Sequence, residues 1–225
     1  MSQLPAHEQG GGQAATQPSL QASIHYFDQG AQCQAVKVLP NEYYVAPAGA
    51  ALMLTTVLGS CVAACVRDGN SGVGGMNHFV LPGAAPAGVQ APAGRMRYGL
   101  HAMDTLIDEL LKAGARRQHL QAKVFGGGAV LAGMSRLAVG ASNASFVLDY
   151  LEQAEIPVLA QDLGGIRARR VNFFPATGLT RVRRFGGQQP DAGERAAQAW
   201  AATARVEVAV PPGGALDGTS GQDRQ

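Results

Sequence analysis

Residues 51–66 read ALMLTTVLGSCVAACV, two short apolar runs on either side of a Gly-Ser pair. The first run, 51–58, contains Thr and Val and is shorter than a typical helix, so it predicts a buried strand. Gly59 and Ser60 interrupt it, and the second run ends at the turn sequence Arg-Asp-Gly-Asn that begins with Arg67. A strand, a break and a second apolar segment therefore open the predicted core.

The rest of the central region alternates between helix-like and strand-like segments. Residues 98–113 place apolar side chains on one helical face, and a second amphipathic helix is predicted at 143–153. Further strands are predicted at 73–81, 120–125, 156–159 and 171–174. Helices interspersed among strands predict an α+β fold with layered mixed β-sheets and flanking helices, in a single domain.

Composition divides the chain of 225 residues into a core and two tails. Residues 1–20 are rich in Gln, Gly and Ala without apolar periodicity, so they are predicted to be disordered. Residues 21–187 form the predicted domain. The Ala/Gly/Pro-rich tail, 188–225, includes a segment at 192–206 that favours a short helix, because alanine has high helix propensity. We therefore expect the functional residues to lie within 21–187.

Charge and apolar content also exclude several classes of protein. The formal net charge of +2 is too small to indicate a nucleic-acid partner. The chain has no run of roughly 18 apolar residues that would span a membrane, and its N-terminus lacks a signal-peptide pattern. Three cysteines without a disulfide-like framework fit a reducing compartment. We therefore expect a cytoplasmic protein that is not inserted in a membrane.

Cys61 has the setting of a reactive cysteine. It follows Gly-Ser at the end of a predicted strand, a position that would suit a helix N-terminus. There, free backbone N–H groups lower a thiol pKa and bind a developing oxyanion. Gly59 would let a substrate backbone come close. The alternative is a small buried apolar residue, which is common for free cysteines.

His78 lies 17 residues after Cys61, in a strand-like run. Two strands joined by the turn at 67–71 would bring its ring beside the thiol, where it would act first as base and then as acid. A lone histidine in a strand is more often structural. Spacing alone therefore leaves both interpretations open.

Three other patterns could indicate a functional site. Gly126 begins a Gly-Gly-Gly run that lacks the Gly-Lys-Ser/Thr ending of a phosphate loop, so it predicts a tight turn that shapes the site or a partner surface. Cys61 and Cys65 lie four apart without a second pair at metal spacing, so a zinc site is not expected and Cys65 is assigned to the core.

Six arginines between Arg167 and Arg184 predict a solvated face, or a surface for an acidic receptor helix.

Short blocks stand in order along the predicted domain: Leu58-Gly-Ser-Cys-Val62, Asn77-His78 with Leu81-Pro82, Lys123-Val-Phe-Gly-Gly127, Val139-Gly140 before Asn143, Ile156-Pro157, Asp162-Leu-Gly-Gly165 and Thr177-Gly178. Together they resemble the CheD family, the chemoreceptor glutamine deamidases of bacterial chemotaxis. The Leu-Gly-Ser-Cys block followed by His-x-x-Leu-Pro is the most specific part of the resemblance.

The resemblance implies a Cys–His–Thr constellation that hydrolyses glutamine side-chain amides of methyl-accepting chemotaxis receptors to glutamate and ammonia. Cys61 matches the nucleophile, His78 the base, and Thr55 the threonine that orients the histidine. The implied partners are the cytoplasmic helices of these receptors and, in addition, a CheC-like phosphatase. No metal or organic cofactor is expected.

Backbone groups around the cysteine complete the expected site. The N–H groups of Gly59, Ser60 and Val62 are expected to support the oxyanion. Two alternatives to deamidation stay open: an adaptor with weak or absent catalysis that regulates a CheC-like phosphatase, and a cysteine hydrolase of receptor methyl esters.

Overall fold

The computed structural model describes residues 20–130, 134–185 and 206–208. The strands in these ranges are β1 (Ile24–Asp28), β2 (Cys33–Lys37), β3 (Tyr43–Ala46), β4 (Leu52–Leu58), β5 (Val62–Asp68), β6 (Gly74–Asn77), β7 (Leu120–Gly126), β8 (Val158–Leu163), β9 (Arg169–Phe173), β10 (Thr180–Arg184) and β11 (Val206–Val208). The helices are α1 (Pro92–Arg95), α2 (Gly99–Lys112) and α3 (Met134–Gln153), with a 3-10 turn at Arg117–His119.

The strands form two mixed sheets. The six-stranded sheet has the order β1-β2-β4-β9-β10-β11, and the five-stranded sheet has the order β3-β6-β5-β7-β8. Strand β2 runs parallel to β4, and β7 runs parallel to β8, while the other neighbours are antiparallel. Together with the helices they confirm the predicted α+β fold with layered mixed sheets.

Strand β5 shows how the layers are stacked. Val62, Ala64 and Val66 belong to the core cluster that includes the buried faces of α2 and α3. The alternate residues Ala63 and Cys65 belong to a second cluster, which fills the space between the two sheets. The five-stranded sheet is therefore the middle layer, and burial on both of its faces explains why 61–66 reads as a continuous apolar run.

Helix α2 confirms the prediction for 98–113. Its buried residues include Met103, Leu106 and Leu110, which pack in the helix-side core. The helix ends before Gly114, whose φ of +97° is a conformation that glycine adopts without steric penalty. Helix α3 contains the predicted 143–153 segment but begins at Met134, so the predicted start was too late.

The two tails lie largely outside the described residues. This applies to residues 1–19, and to 186–205 and 209–225 in the C-terminal tail, so the predicted division of the chain stays a prediction. Val206, the last residue of the predicted helix at 192–206, instead begins β11, which pairs antiparallel with β10. None of the helices in the described ranges has the length and apolar character needed to cross a membrane.

Candidate active site

Cys61 lies where the chain passes from β4 in one sheet to β5 in the other. The glycine turn that follows β7 holds this crossing in place: Gly127 N–H donates to Cys61 O and Gly128 N–H donates to Gly59 O, both at 2.8 Å. Gly126 has a φ of +113°, and a Cβ there would overlap the Cys61 carbonyl oxygen. The glycine run is thus a tight turn that supports the cysteine, as the sequence predicted.

Cys61 and His78 lie on neighbouring antiparallel segments. Val62 and Phe79 exchange two backbone hydrogen bonds, of 3.1 and 3.0 Å, so Cys61 and His78 each stand one residue before a paired residue. This register makes them diagonal neighbours with side chains on the same face. Diagonal neighbours are about 7–8 Å apart, and their Cβ atoms are somewhat closer. The two side chains therefore face the same inter-sheet space.

The imidazole of His78 is held through one of its two nitrogens. Thr56 Oγ1 lies 2.9 Å from His78 Nδ1 and donates its single proton to Val38 O at 2.7 Å. Since that proton is used, Thr56 can only accept from the histidine, which places the ring proton on Nδ1. Nε2 is left unprotonated, buried and without a hydrogen-bond partner. This is the tautomer that a general base requires.

Thr55, which the family resemblance assigned to this contact, lies elsewhere. Its hydroxyl donates to Asn172 Oδ1 at 2.7 Å, on the face of the six-stranded sheet that points away from His78. Leu54, Thr56 and Leu58 share the opposite face, which lines the inter-sheet space. The threonine that contacts His78 is therefore Thr56, and the expected contact from Thr55 was wrong.

The environment of Cys61 also differs from the expected helix N-terminus. The next element is strand β5, so Cys61 does not stand at the start of a helix. Burial raises the pKa of the Cys61 thiol, and a hydrogen bond from its own backbone N–H opposes this rise. The resting sulfur is therefore a neutral thiol, whose proton a base must remove when it attacks.

The expected oxyanion donors can be separated by their hydrogen bonds. Val62 N–H is already bonded to Phe79 O at 3.1 Å, so the expected role for Val62 was wrong. The N–H of Cys61 instead acts on its own sulfur and lowers the thiol pKa. It is thus a donor beside the atom that would attack a carbonyl. Donation by Gly59 and Ser60 stays a prediction.

Arg169 is a site-supporting residue that the sequence did not reveal. It is 1% exposed, forms an ion pair of 2.9 Å with Asp162, and donates to the backbone oxygens of Gly164 and Arg167. The loop between β8 and β9 in turn contacts the glycine turn that follows β7, since Gly164 N–H donates to Gly126 O. Arg169 therefore stabilises the loop that contacts the glycine turn beside Cys61. The cluster of arginines had predicted a solvated face, but this member of the cluster is buried.

Protonation of His78 is opposed by its surroundings. Burial lowers its pKa from the usual 6.5 to about 4, while a hydrogen bond with the Val38 backbone acts in the opposite direction. The imidazole is therefore neutral at physiological pH and available as a base. Among the described residues, no three His, Cys, Asp or Glu side chains come together as a metal-binding group.

The lowered pKa of His78 predicts a pH-dependent stability. In the unfolded chain the ring takes up a proton near pH 6.5, but in the folded protein only near 4, so stability is lost as the pH falls through this window. We expect the wild type to lose about 2–3 kcal/mol more free energy of unfolding than His78→Gln between pH 7.5 and 4.5. Denaturant unfolding at both pH values measures this, and equal losses in the two proteins would contradict it.

Comparison with known proteins agrees with these features. The family model described as CheD chemotactic sensory transduction matches residues 80–184. The chain is 54% identical over 197 residues to the probable chemoreceptor glutamine deamidase CheD of Bordetella petrii, covering 85% of this chain and 86% of that protein. It is 52% identical over 202 residues to the protein of the same name from Cupriavidus metallidurans, covering 89% and 91%. Alignments of this coverage necessarily include both Cys61 and His78.

Proposed function

The chain belongs to the CheD family, and we propose that it is a chemoreceptor glutamine deamidase. It hydrolyses glutamine side-chain amides on the cytoplasmic helices of methyl-accepting chemotaxis receptors to glutamate, with release of ammonia. The observation that carries the proposal is identity above 50% to relatives of that name, over spans that include Cys61 and His78. The shared face of these two residues supports a Cys–His mechanism.

Acylation begins with the thiol of Cys61 and the imidazole of His78 both uncharged. Nε2 of His78 takes the thiol proton as the sulfur of Cys61 attacks the carboxamide carbon, forming a C–S bond and an oxyanion. The Cys61 N–H, which belongs to the same residue as the attacking sulfur, donates to that oxygen. The imidazolium then gives its proton to the amide nitrogen, the C–N bond breaks, and ammonia leaves a thioester behind.

Deacylation reuses the same base. Nε2 removes a proton from water as the water oxygen attacks the thioester carbon. The C–S bond breaks, the sulfur recovers a proton from the imidazolium, and the receptor side chain is released as glutamate. Each turnover places one negative charge on the receptor helix, where it changes the electrostatics of helix packing.

Thr56 is the orienting residue in this mechanism, because it accepts the Nδ1 proton and so keeps Nε2 free. We expect Thr56→Val to lower kcat about 10- to 100-fold with little change in KM. Thr55→Val is the matched control, since it removes the neighbouring hydroxyl, whose partner is Asn172. It should reduce stability by about 1 kcal/mol and leave kcat unchanged. Loss of activity in Thr55→Val with retention in Thr56→Val would reverse this assignment.

A receptor fragment that carries glutamines and methyl esters tests the proposed reaction. Deamidation raises the mass by about one dalton at each glutamine that is used, and peptide mapping locates the sites. We expect this gain with the wild type and no loss of methyl groups. Loss of methyl groups at unchanged glutamines would identify a methyl esterase, and no change at either position would reject the proposed reaction.

Two finer points belong to the same proposal. Because the substrate helices are cytoplasmic, we place the enzyme in the cytoplasm. A CheC-like phosphatase as a further partner would be revealed by binding to the Cys61→Ala protein, since an adaptor role does not need the nucleophile. Absence of binding to both this variant and the wild type would reject such a partner.

A further inference from the structure

Asn143 connects the two segments that carry Cys61 and His78. It lies on α3 and is fully buried, and its Nδ2 donates to Ser60 O at 3.0 Å and to Val80 O at 2.9 Å. Because both partners are carbonyl oxygens, the orientation of the side-chain amide is unambiguous. A single side chain thus holds the residue before the cysteine against the segment that follows the histidine.

The geometry of the peptide bond transmits this contact to the cysteine. The Ser60 carbonyl and the Cys61 N–H belong to one trans peptide, so they point in opposite directions. Fixing the carbonyl on Asn143 therefore fixes the direction of the N–H, which lies on the opposite side of the peptide and lowers the pKa of the Cys61 thiol. That N–H is the donor positioned for the oxyanion when the sulfur attacks a carboxamide.

The peptide that follows Cys61 is fixed from the same helix. Its carbonyl accepts from Gly127 N–H at 2.8 Å. Gly127 packs directly against α3, since a Cβ on Gly140 would lie 2.7 Å from the Gly127 carbonyl oxygen. Helix α3 therefore determines the orientation of both peptide planes that flank the nucleophile.

The pattern of hydrogen bonds at Asn143 argues against a purely structural role. Both bonds are made by Nδ2, whereas Oδ1 is buried without a hydrogen-bond partner. A buried acceptor without a partner is destabilising, so an asparagine selected for stability alone would satisfy both ends of its amide. The N–H donors of the Asn143 amide are therefore the groups that contact the site, through Ser60 O and Val80 O.

We propose that Asn143 is a positioning residue that aims the Cys61 N–H at the developing oxyanion and ties the Cys61 loop to the His78 segment. The proposal rests on the deamidase function proposed above. It assigns a role in the transition state to a residue that itself touches neither the substrate nor the reacting atoms.

Asn143→Asp keeps the size of the side chain and removes both donors. We expect kcat for receptor deamidation to fall about 10- to 100-fold with KM within about 2-fold, because the donor acts on the transition state. We also expect the pH profile for alkylation of Cys61 by iodoacetamide, measured on the mapped peptide, to move to higher pH. This follows because the N–H that opposes the raised thiol pKa is no longer aimed at the sulfur.

Val147→Ala is the matched control. Val147 is fully buried one turn further along α3, so its truncation loosens the same helix without touching Ser60. We expect a lower melting temperature with kcat and the alkylation profile unchanged. Asn143→Ser, which keeps one donor, should give an intermediate kcat, and it decides the question if Asn143→Asp does not fold.

Wild-type kcat and alkylation in either Asn143 variant would overturn the proposal, as would losses that Val147→Ala reproduces. The alkylation experiment needs no receptor. It therefore tests the placement of the N–H separately from the proposed deamidation. A wild type that does not deamidate would count against the function, whereas an unshifted profile counts against Asn143.

Discussion

Replacing Cys61 with alanine is expected to lower receptor deamidation by at least about 1,000-fold while the protein stays folded. The reason is that the thioester cannot form without the sulfur. Cys61 is partly exposed at the edge of the inter-sheet space, whereas Cys65 is fully buried and burial raises its thiol pKa well above the usual range. The change is measured as the rate of mass gain in a receptor fragment.

Cys65→Ala is the matched control for this prediction. It removes a sulfur from the same face of the same segment, so its effect on packing should be as large or larger. We expect it to reduce stability by about 1–2 kcal/mol and to leave kcat near that of the wild type. A Cys61→Ala protein that deamidates as fast as Cys65→Ala would show that the nucleophile lies elsewhere.

Replacing His78 with glutamine is expected to lower kcat about 100- to 10,000-fold. The resting thiol is neutral because burial raises its pKa, so attack requires a base to remove the proton. Nε2 of His78 is buried, unprotonated and without a competing partner. His101→Gln, on α2 and outside the inter-sheet space, serves as the control and should keep wild-type kinetics.

The pH dependence distinguishes His78 from an ordinary histidine base. Its pKa of about 4 predicts that kcat/KM of the wild type holds through pH 6 and falls only as the pH approaches 4. The value of kcat/KM is measured from the time course of substrate depletion between pH 4 and 8. The wild type and His101→Gln should lose activity over the same acidic pH range. An acid limb near 6.5 in both proteins would contradict the assignment of His78 as a buried neutral base.

Sequence predicted the pair of segments but could not predict which side chains face each other. Residues 53–56 and 62–66 are buried on both faces, so they lack the alternation that marks an inward face. A shift of one residue exchanges the two faces of a strand. Thr55 was assigned from the family resemblance, and no local pattern shows which of Thr55 and Thr56 faces His78. That difference depends on the pairing of β4 with β9, more than 100 residues away along the chain.

Three other features depended on contacts that no local sequence pattern marks. Asn143 was placed at the start of the predicted helix at 143–153, yet it lies within α3 with its amide committed to two distant carbonyls. Arg169 was grouped with exposed arginines, since burial of one member of a charged run leaves no local pattern. Val62 was expected to be a free donor, and only its pairing with Phe79 shows that it is not.

Trapping the acyl-enzyme tests the central claim most directly. Wild-type protein turning over a receptor fragment is quenched in acid, digested at low pH and mapped by mass spectrometry. The mechanism predicts a receptor peptide joined through its glutamine carbonyl to the Cys61 peptide, with a mass equal to the two peptides less ammonia, and no such species from Cys61→Ala. An adduct on another residue, or deamidation by Cys61→Ala at the wild-type rate, would contradict the account.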